Sequence, residues 1–229
     1  MKLKKFLMVT AVALTLSAPA MAQTDTSTTD TPAVAGDATT EPATHPHNAA
    51  TETQRDVNQQ ERIEQGLDSG ALTTREAAKL EKGESRIDAV EARDMKDGTL
   101  SAKDRAQIQH LQNQESKTIY GQKHDAQLGN PNSASSQRMQ ADVQRDVNQE
   151  QRIHNGVANG TLTNHEAARL EGGEAHNDRS QWRAGRNGRI SALGQHRLQR
   201  QENQTSRATW RKKHNGCNRR GIAQPGAAG

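Results

Sequence analysis

GALTTREAAKLEKGE, residues 70–84, returns ninety residues later as GTLTNHEAARLEGGE, residues 160–174. In each copy a glycine is followed by a Leu-Thr pair and then by a run of helix-forming residues. Thr73 with Glu76, and Thr163 with Glu166, fit the S/T-x-x-E capping box, in which hydroxyl and carboxylate each satisfy an otherwise orphan backbone N–H. The glycine three residues earlier suits the left-handed position that closes a preceding helix. Each stretch therefore reads as the end of one helix, a turn, and the capped start of the next.

Working outward, residues 55–88 match residues 145–178 at 19 of 34 positions, and 89–125 match 179–215 at ten of 37. The turn recurs within each copy: Gly70 and Gly98, like Gly160 and Gly188, stand 28 apart in related contexts. Ser101 with Asp104 is a weaker capping box, and Ser191 with Gly194 lacks the acid. These signals predict helices over 53–68, 74–96, 102–122, 142–157, 164–183 and 192–213. The fold class expected is all-α: two tandem duplicated helical modules of period 90, joined by a flexible linker, with disordered termini. The expected boundaries are a signal peptide at 1–22, disordered chain at 23–52, a first repeat at 53–125, a linker at 126–142, a second repeat at 143–215 and a tail at 216–229. Ile87, Leu111 and Ile119 of the first copy correspond to Asn177, Gln201 and Thr209 of the second. The second copy is thus expected to depend on the first for order, and the first to fold alone.

The N-terminus sets the expected compartment. Lys2, Lys4 and Lys5 precede an apolar stretch, and Ala20-Met21-Ala22 supplies small residues for cleavage. The apolar run is short for a membrane span, so the processed chain is expected in the periplasm or outside the cell with no integral membrane segment. Leu, Ile, Val and Phe make up 30 of 229 residues, about 13%. That is below the roughly 20% that marks ordinary globular chains, and it argues against a large enzyme core. No Ser/His/Asp or Cys/His constellation is present, and no cofactor is expected. Cys217 stands alone in a Gly-rich tail, His45 and His47 form a sparse pair, and His154, His165 and His176 are too widely spaced along a helix to share a metal.

Charge is segregated. Residues 23–176 hold 16 basic and 25 acidic residues, whereas 177–229 hold 12 basic and two acidic. On the final helix Arg197, Arg200, Arg207 and Arg211 fall on one stripe about 21 Å long, with Trp210 beside them. Such a stripe suits phosphate or sulfate groups, and these five residues are the candidate polyanion-binding set.

The turns resemble EF-hand loops. With Gly98 or Gly160 at the sixth loop position, Asp97, Ser101 and Asp104, and Asn159, Thr163 and Glu166, fall at later ligand positions, which makes them candidate metal ligands. The first and third positions are Arg93 and Met95, or Asn155 and Val157, poor ligands for a hard cation. Leu72-Thr73 with Glu76, and Leu162-Thr163 with Glu166, also resemble the signature of the LTxxQ family of periplasmic stress-response chaperones, with glutamate in place of glutamine. That resemblance implies an all-α, self-associating protein that holds unfolded clients or tunes envelope stress sensing. The chain is likewise similar to duplicated helical proteins exported by proteobacteria. The expected function is a non-enzymatic interaction or stress-response protein whose partner is a protein or an anionic envelope component. Polyanion or divalent-metal binding is the alternative.

Overall fold

A computed structural model describes residues 49–214. The signal-like segment, nearly all of the 23–52 stretch, His45, His47, Cys217 and the tail after 215 lie outside the described residues. Six helices and no strand occur among them: α1 Ala50–Ser69, α2 Thr74–Asp94, α3 Ala102–Lys123, α4 Ala134–Ala158, α5 Asn164–Gly185 and α6 Ala192–His214. No helix among the described residues is long and apolar enough to cross a membrane.

The turns that punctuate the chain are built as their residues dictate. Thr73, Ser101 and Thr163 each accept a hydrogen bond from the backbone N–H three residues on, and Glu76, Asp104 and Glu166 each accept one from the cap residue's own N–H. Ser191 keeps half of this device, accepting from Gly194 N at 3.0 Å. Gly70 and Gly160 adopt φ of 76° and 73°, where a Cβ would be strained, which is why glycine ends α1 and its counterpart.

Two expectations change. The stretch 126–142, read as a linker, is helical from Ala134, so α4 starts eight residues ahead of its expected start. Asn130-Pro131-Asn132 forms a turn, Ser133 caps the helix through Ser136 N, and Met139 is wholly buried. Gly129 lies against the Leu72 carbonyl, closer than any side chain would allow, and ties the connection to the α1–α2 turn through Gly129 N to Gly70 O at 2.8 Å. At the other end α1 starts at Ala50, inside the stretch expected to be disordered.

The second change concerns the modules, which do not stand apart. α1 packs along α4 and α2 along α5, giving a four-helix core to which both sequence copies contribute; α3 covers α1 and α2, and α6 covers α4 and α5. Ser85 Oγ donates to the Ala175 carbonyl at 2.9 Å across the α2–α5 seam, joining residues ninety apart in number. Polar contacts recur at that offset: Gln59 to Glu84 and Gln149 to Glu174, Arg62 to Ser116 and Arg152 to Ser206. Where the second copy has lost apolar residues it gains hydrogen bonds. Asn177 donates to Glu174 at 2.9 Å and accepts from Gln201 at 2.9 Å, and Thr209 is buried against the carbonyl of Thr205.

Apolar side chains gather at the two ends of the bundle. One cluster joins Met95, Leu100, Ile108, Ile153, Val157, Leu162 and Leu170. The other joins Ile63, Leu67, Leu72, Leu80, Ile119, Met139, Val143 and Ile190. Along α1, α2 and α4 the residues between the clusters are largely acids and amides.

A candidate metal centre in the bundle core

Thirteen carboxylates among the described residues are buried to 3% exposure or less; besides Glu52, Asp142 and Glu202 they are Asp56, Glu81, Glu84, Asp88, Glu91, Asp146, Glu150, Glu171, Glu174 and Asp178. These last ten come from α1, α2, α4 and α5. On α2 they occupy positions 81, 84, 88 and 91, and on α5 positions 171, 174 and 178. Spacings of three and four put each set on one helix face, the face an ordinary bundle fills with leucine.

Among the described residues, none of these ten has an arginine or lysine within ion-pair distance, although Arg55 and Arg152 act at longer range to lower Asp56 and Glu174. Ion pairs among the described residues lie elsewhere: Arg105 to Glu52 at 3.0 Å, Arg145 to Glu202 at 3.2 Å, and Arg93 to Asp94. Amides supply part of the missing pairing. Gln59 Nε2 donates to both oxygens of Glu84 at 3.0 and 2.9 Å, Gln60 Nε2 to Glu81 at 3.2 Å, and Gln181 Nε2 to Asp146. Gln112 Nε2 reaches Asp56 at 2.8 Å and Glu91 at 3.2 Å. Among the described residues, both oxygens of Glu171 and both of Asp178 meet no amide, hydroxyl or basic donor, and one oxygen each of Glu81, Asp88, Asp146 and Glu150 is likewise without one.

Six of these acids form two groups, Glu81 with Asp146 and Asp178, and Asp88 with Glu150 and Glu171. In each group one oxygen from every member lies within 4.8 Å of the others. Oxygens on opposite sides of a cation bound at 2.3–2.6 Å stand about 4.6–5.2 Å apart, so each group has room for one such ion. The groups adjoin, because Asp88 and Asp178 face each other at hydrogen-bonding range across the α2–α5 seam.

Burial dominates the electrostatics. It raises Asp56 to about 7 and Glu81 and Glu174 to about 8, partly offset at Asp56 by Gln112, at Glu81 by Gln60 and at Glu174 by Asn177. It raises Glu84, Asp88, Glu91, Asp146, Glu150, Glu171 and Asp178 well above the usual carboxylate range, and neighbouring acids add to the effect. An ionised carboxylate in such surroundings costs several kcal/mol unless it is compensated. Protons and cations are agents that can compensate it. Every donor in both groups is a carboxylate oxygen, the choice of hard ions such as Ca²⁺ or Mn²⁺ over thiolate- or imidazole-seeking metals.

The candidates read from sequence lie elsewhere. Asp97 Oδ1 accepts from Thr99 N and Oγ1 at 2.9 and 2.7 Å, and Asn159 Oδ1 accepts from Thr161 N and Oγ1 at 3.0 and 2.7 Å; both shape exposed turns. Ser101, Asp104, Thr163 and Glu166 are engaged as helix caps, as are Thr73 and Glu76. Arg197, Arg200, Arg207 and Arg211 are all exposed on α6, opposite its buried Gln195, Leu198, Glu202 and Thr209. Trp210 is exposed and stacks on His214 at 4.6 Å. Sequence reasoning passed over the buried acids because acids are common throughout this chain. The usable signal was their heptad-like spacing on α2, repeated on α5. No protein-family model, curated protein or solved structure matches the chain.

Proposed function

We propose that this is a non-enzymatic, exported helical protein, built from two duplicate halves, whose core takes up hard divalent cations through carboxylate oxygens. One observation supports the reading above the others: donor-free oxygens of fully buried acids converge in two groups with, among the described residues, no basic side chain within ion-pair distance. A resident cation would neutralise several acids at once and bridge helices from both halves. The exported location rests on the N-terminal lysines, apolar run and Ala-Met-Ala.

The test is direct. Chain beginning at Gln23, stripped with chelator and held at pH 7.5, is titrated with Ca²⁺ and with Mn²⁺ in a calorimeter and melted with and without each ion. Heat of binding and a melting temperature that climbs with ion concentration are expected, since a ligand at 100 times its Kd adds about 2.7 kcal/mol of stability. Neither heat nor a shift for either ion overturns the reading.

A second reading, polyanion binding, is favoured by the four exposed arginines on α6. R197Q/R200Q/R207Q/R211Q should keep its helicity and lose heparin binding, and binding by the wild type should fall steeply with salt. Equal heparin binding by the two proteins refutes it. A client-holding or stress-response role, with self-association, draws on the LTxxQ resemblance alone. Large exposed apolar side chains among the described residues are Tyr120, Leu128, Leu193 and Trp210.

A further inference from the structure

The ninety-residue offset maps one carboxylate group onto the other, and the mapping fails at two inner positions. Glu81, Asp146 and Asp178 correspond to Glu171, Asp56 and Asp88. Gln60, however, corresponds to Glu150, and Gln181 to Glu91. The group around Glu171 is therefore ringed by five carboxylates, Asp56, Asp88, Glu91, Glu150 and Glu171. The group around Glu81 has three, with an amide at each of the other two places. Both amides donate into their own ring, Gln60 Nε2 to Glu81 and Gln181 Nε2 to Asp146, leaving one oxygen of each acid without a donor. In the five-carboxylate ring Glu171 keeps both oxygens free of donors, and Glu150 keeps one.

A third exchange, Gln112 for Glu202, runs the other way, and both residues are buried. Glu202 already faces Arg145 at 3.2 Å, while Gln112 spends its N–H groups on Asp56, Glu91 and the Glu52 carbonyl. The exchanges at Gln60 and Gln181 thus set the difference.

Building on the cation reading above, we infer that the core holds two cation sites of unequal strength, filled in order. The ring of Asp56, Asp88, Glu91, Glu150 and Glu171 is the tight site, and the ring of Glu81, Asp146 and Asp178 is the weak one. Two additional negative ligands, Glu91 and Glu150 in place of Gln181 and Gln60, favour the first ring for any hard cation, and most for one of higher charge. Filling it also removes negative charge beside Asp178 across the seam, so the second ion enters a less strongly attracting site.

The experiment uses the chain from Gln23 at pH 7.5, with Ca²⁺ followed by calorimetry and Mn²⁺ by electron paramagnetic resonance. Wild type should bind in two phases whose Kd values differ at least tenfold. E91Q/E150Q, which removes two buried charges and so should fold readily, is expected to weaken the tight phase at least tenfold and leave two similar weak sites. Q60E/Q181E should tighten the weak phase toward the tight one; if circular dichroism shows that this variant does not fold, the comparison of wild type with E91Q/E150Q decides. Two equal sites in wild type, or a tight phase unchanged in E91Q/E150Q, overturns the inequality and leaves the cation reading standing. Absence of any binding by wild type overturns both.

Discussion

Glu171 is fully buried, and neither of its oxygens meets a donor. Replacing it with glutamine puts a permanently neutral group of nearly the same shape where the carboxyl must otherwise take up a proton to stay buried. E171Q should therefore melt higher than wild type at pH 7.5 in chelator, and should gain less from added Ca²⁺. A lower melting temperature in chelator would show that its negative charge is already compensated within the protein. Thr73 works by the opposite logic, since its hydroxyl has a defined partner. Thr73→Ala leaves Glu76 N without its 3.2 Å acceptor and should cost about 1 kcal/mol, or about 2–4 °C in melting temperature. Thermal melting at saturating Ca²⁺ checks it, and an unchanged midpoint would mean that the cap adds nothing here.

At the scale of helices, the sequence made most of the architecture legible because capping is local chemistry. A hydroxyl, an acid three residues on and a preceding glycine specify a helix boundary whatever the helix packs against, and α2, α3 and α5 begin where those residues stand. The start of α4 was not legible, because Asn-Pro-Asn and a run of serines read as loop. The Ser133 cap and the tertiary burial of Ser136 and Met139 favour helix there. The pairing of α1 with α4 and α2 with α5 was also hidden. Apolar stripes alone suggested that the first copy could fold by itself, yet α2 buries its acid-lined face against α5. Residues 49–125 in isolation would leave that face in water. The fragment should show no cooperative melting by circular dichroism at pH 7.5, and a cooperative transition would mean that the halves are autonomous. The candidate site stayed illegible for a related reason: an acid on a helix is ordinarily solvated, and whether a 3-4-3 acidic face looks outward or inward depends on its partner helix.

For the whole molecule the buried acids link stability to pH. Their folded-state values lie above those of the unfolded chain, about 7 for Asp56 and about 8 for Glu81 and Glu174, so between pH 4 and 8 the native state binds more protons. Stability without cations is thus fullest near pH 4 and falls as pH rises toward 8. Saturating Ca²⁺ should flatten that slope by replacing protons at the carboxylates. Melting temperatures collected at pH 4, 6 and 8 with and without the ion test this, and a chelated protein most stable at pH 8 would refute it. The Ser85 to Ala175 bond has a kinetic consequence too. Helices can form within each half in microseconds, but the core closes only when segments ninety residues apart meet, and late long-range closure slows folding. In this chain the closing surfaces are both acidic, so they repel one another as they approach. Refolding from denaturant at pH 7.5 should accordingly be limited by the docking of two like-charged halves, and should quicken when acid or a divalent ion screens the encounter.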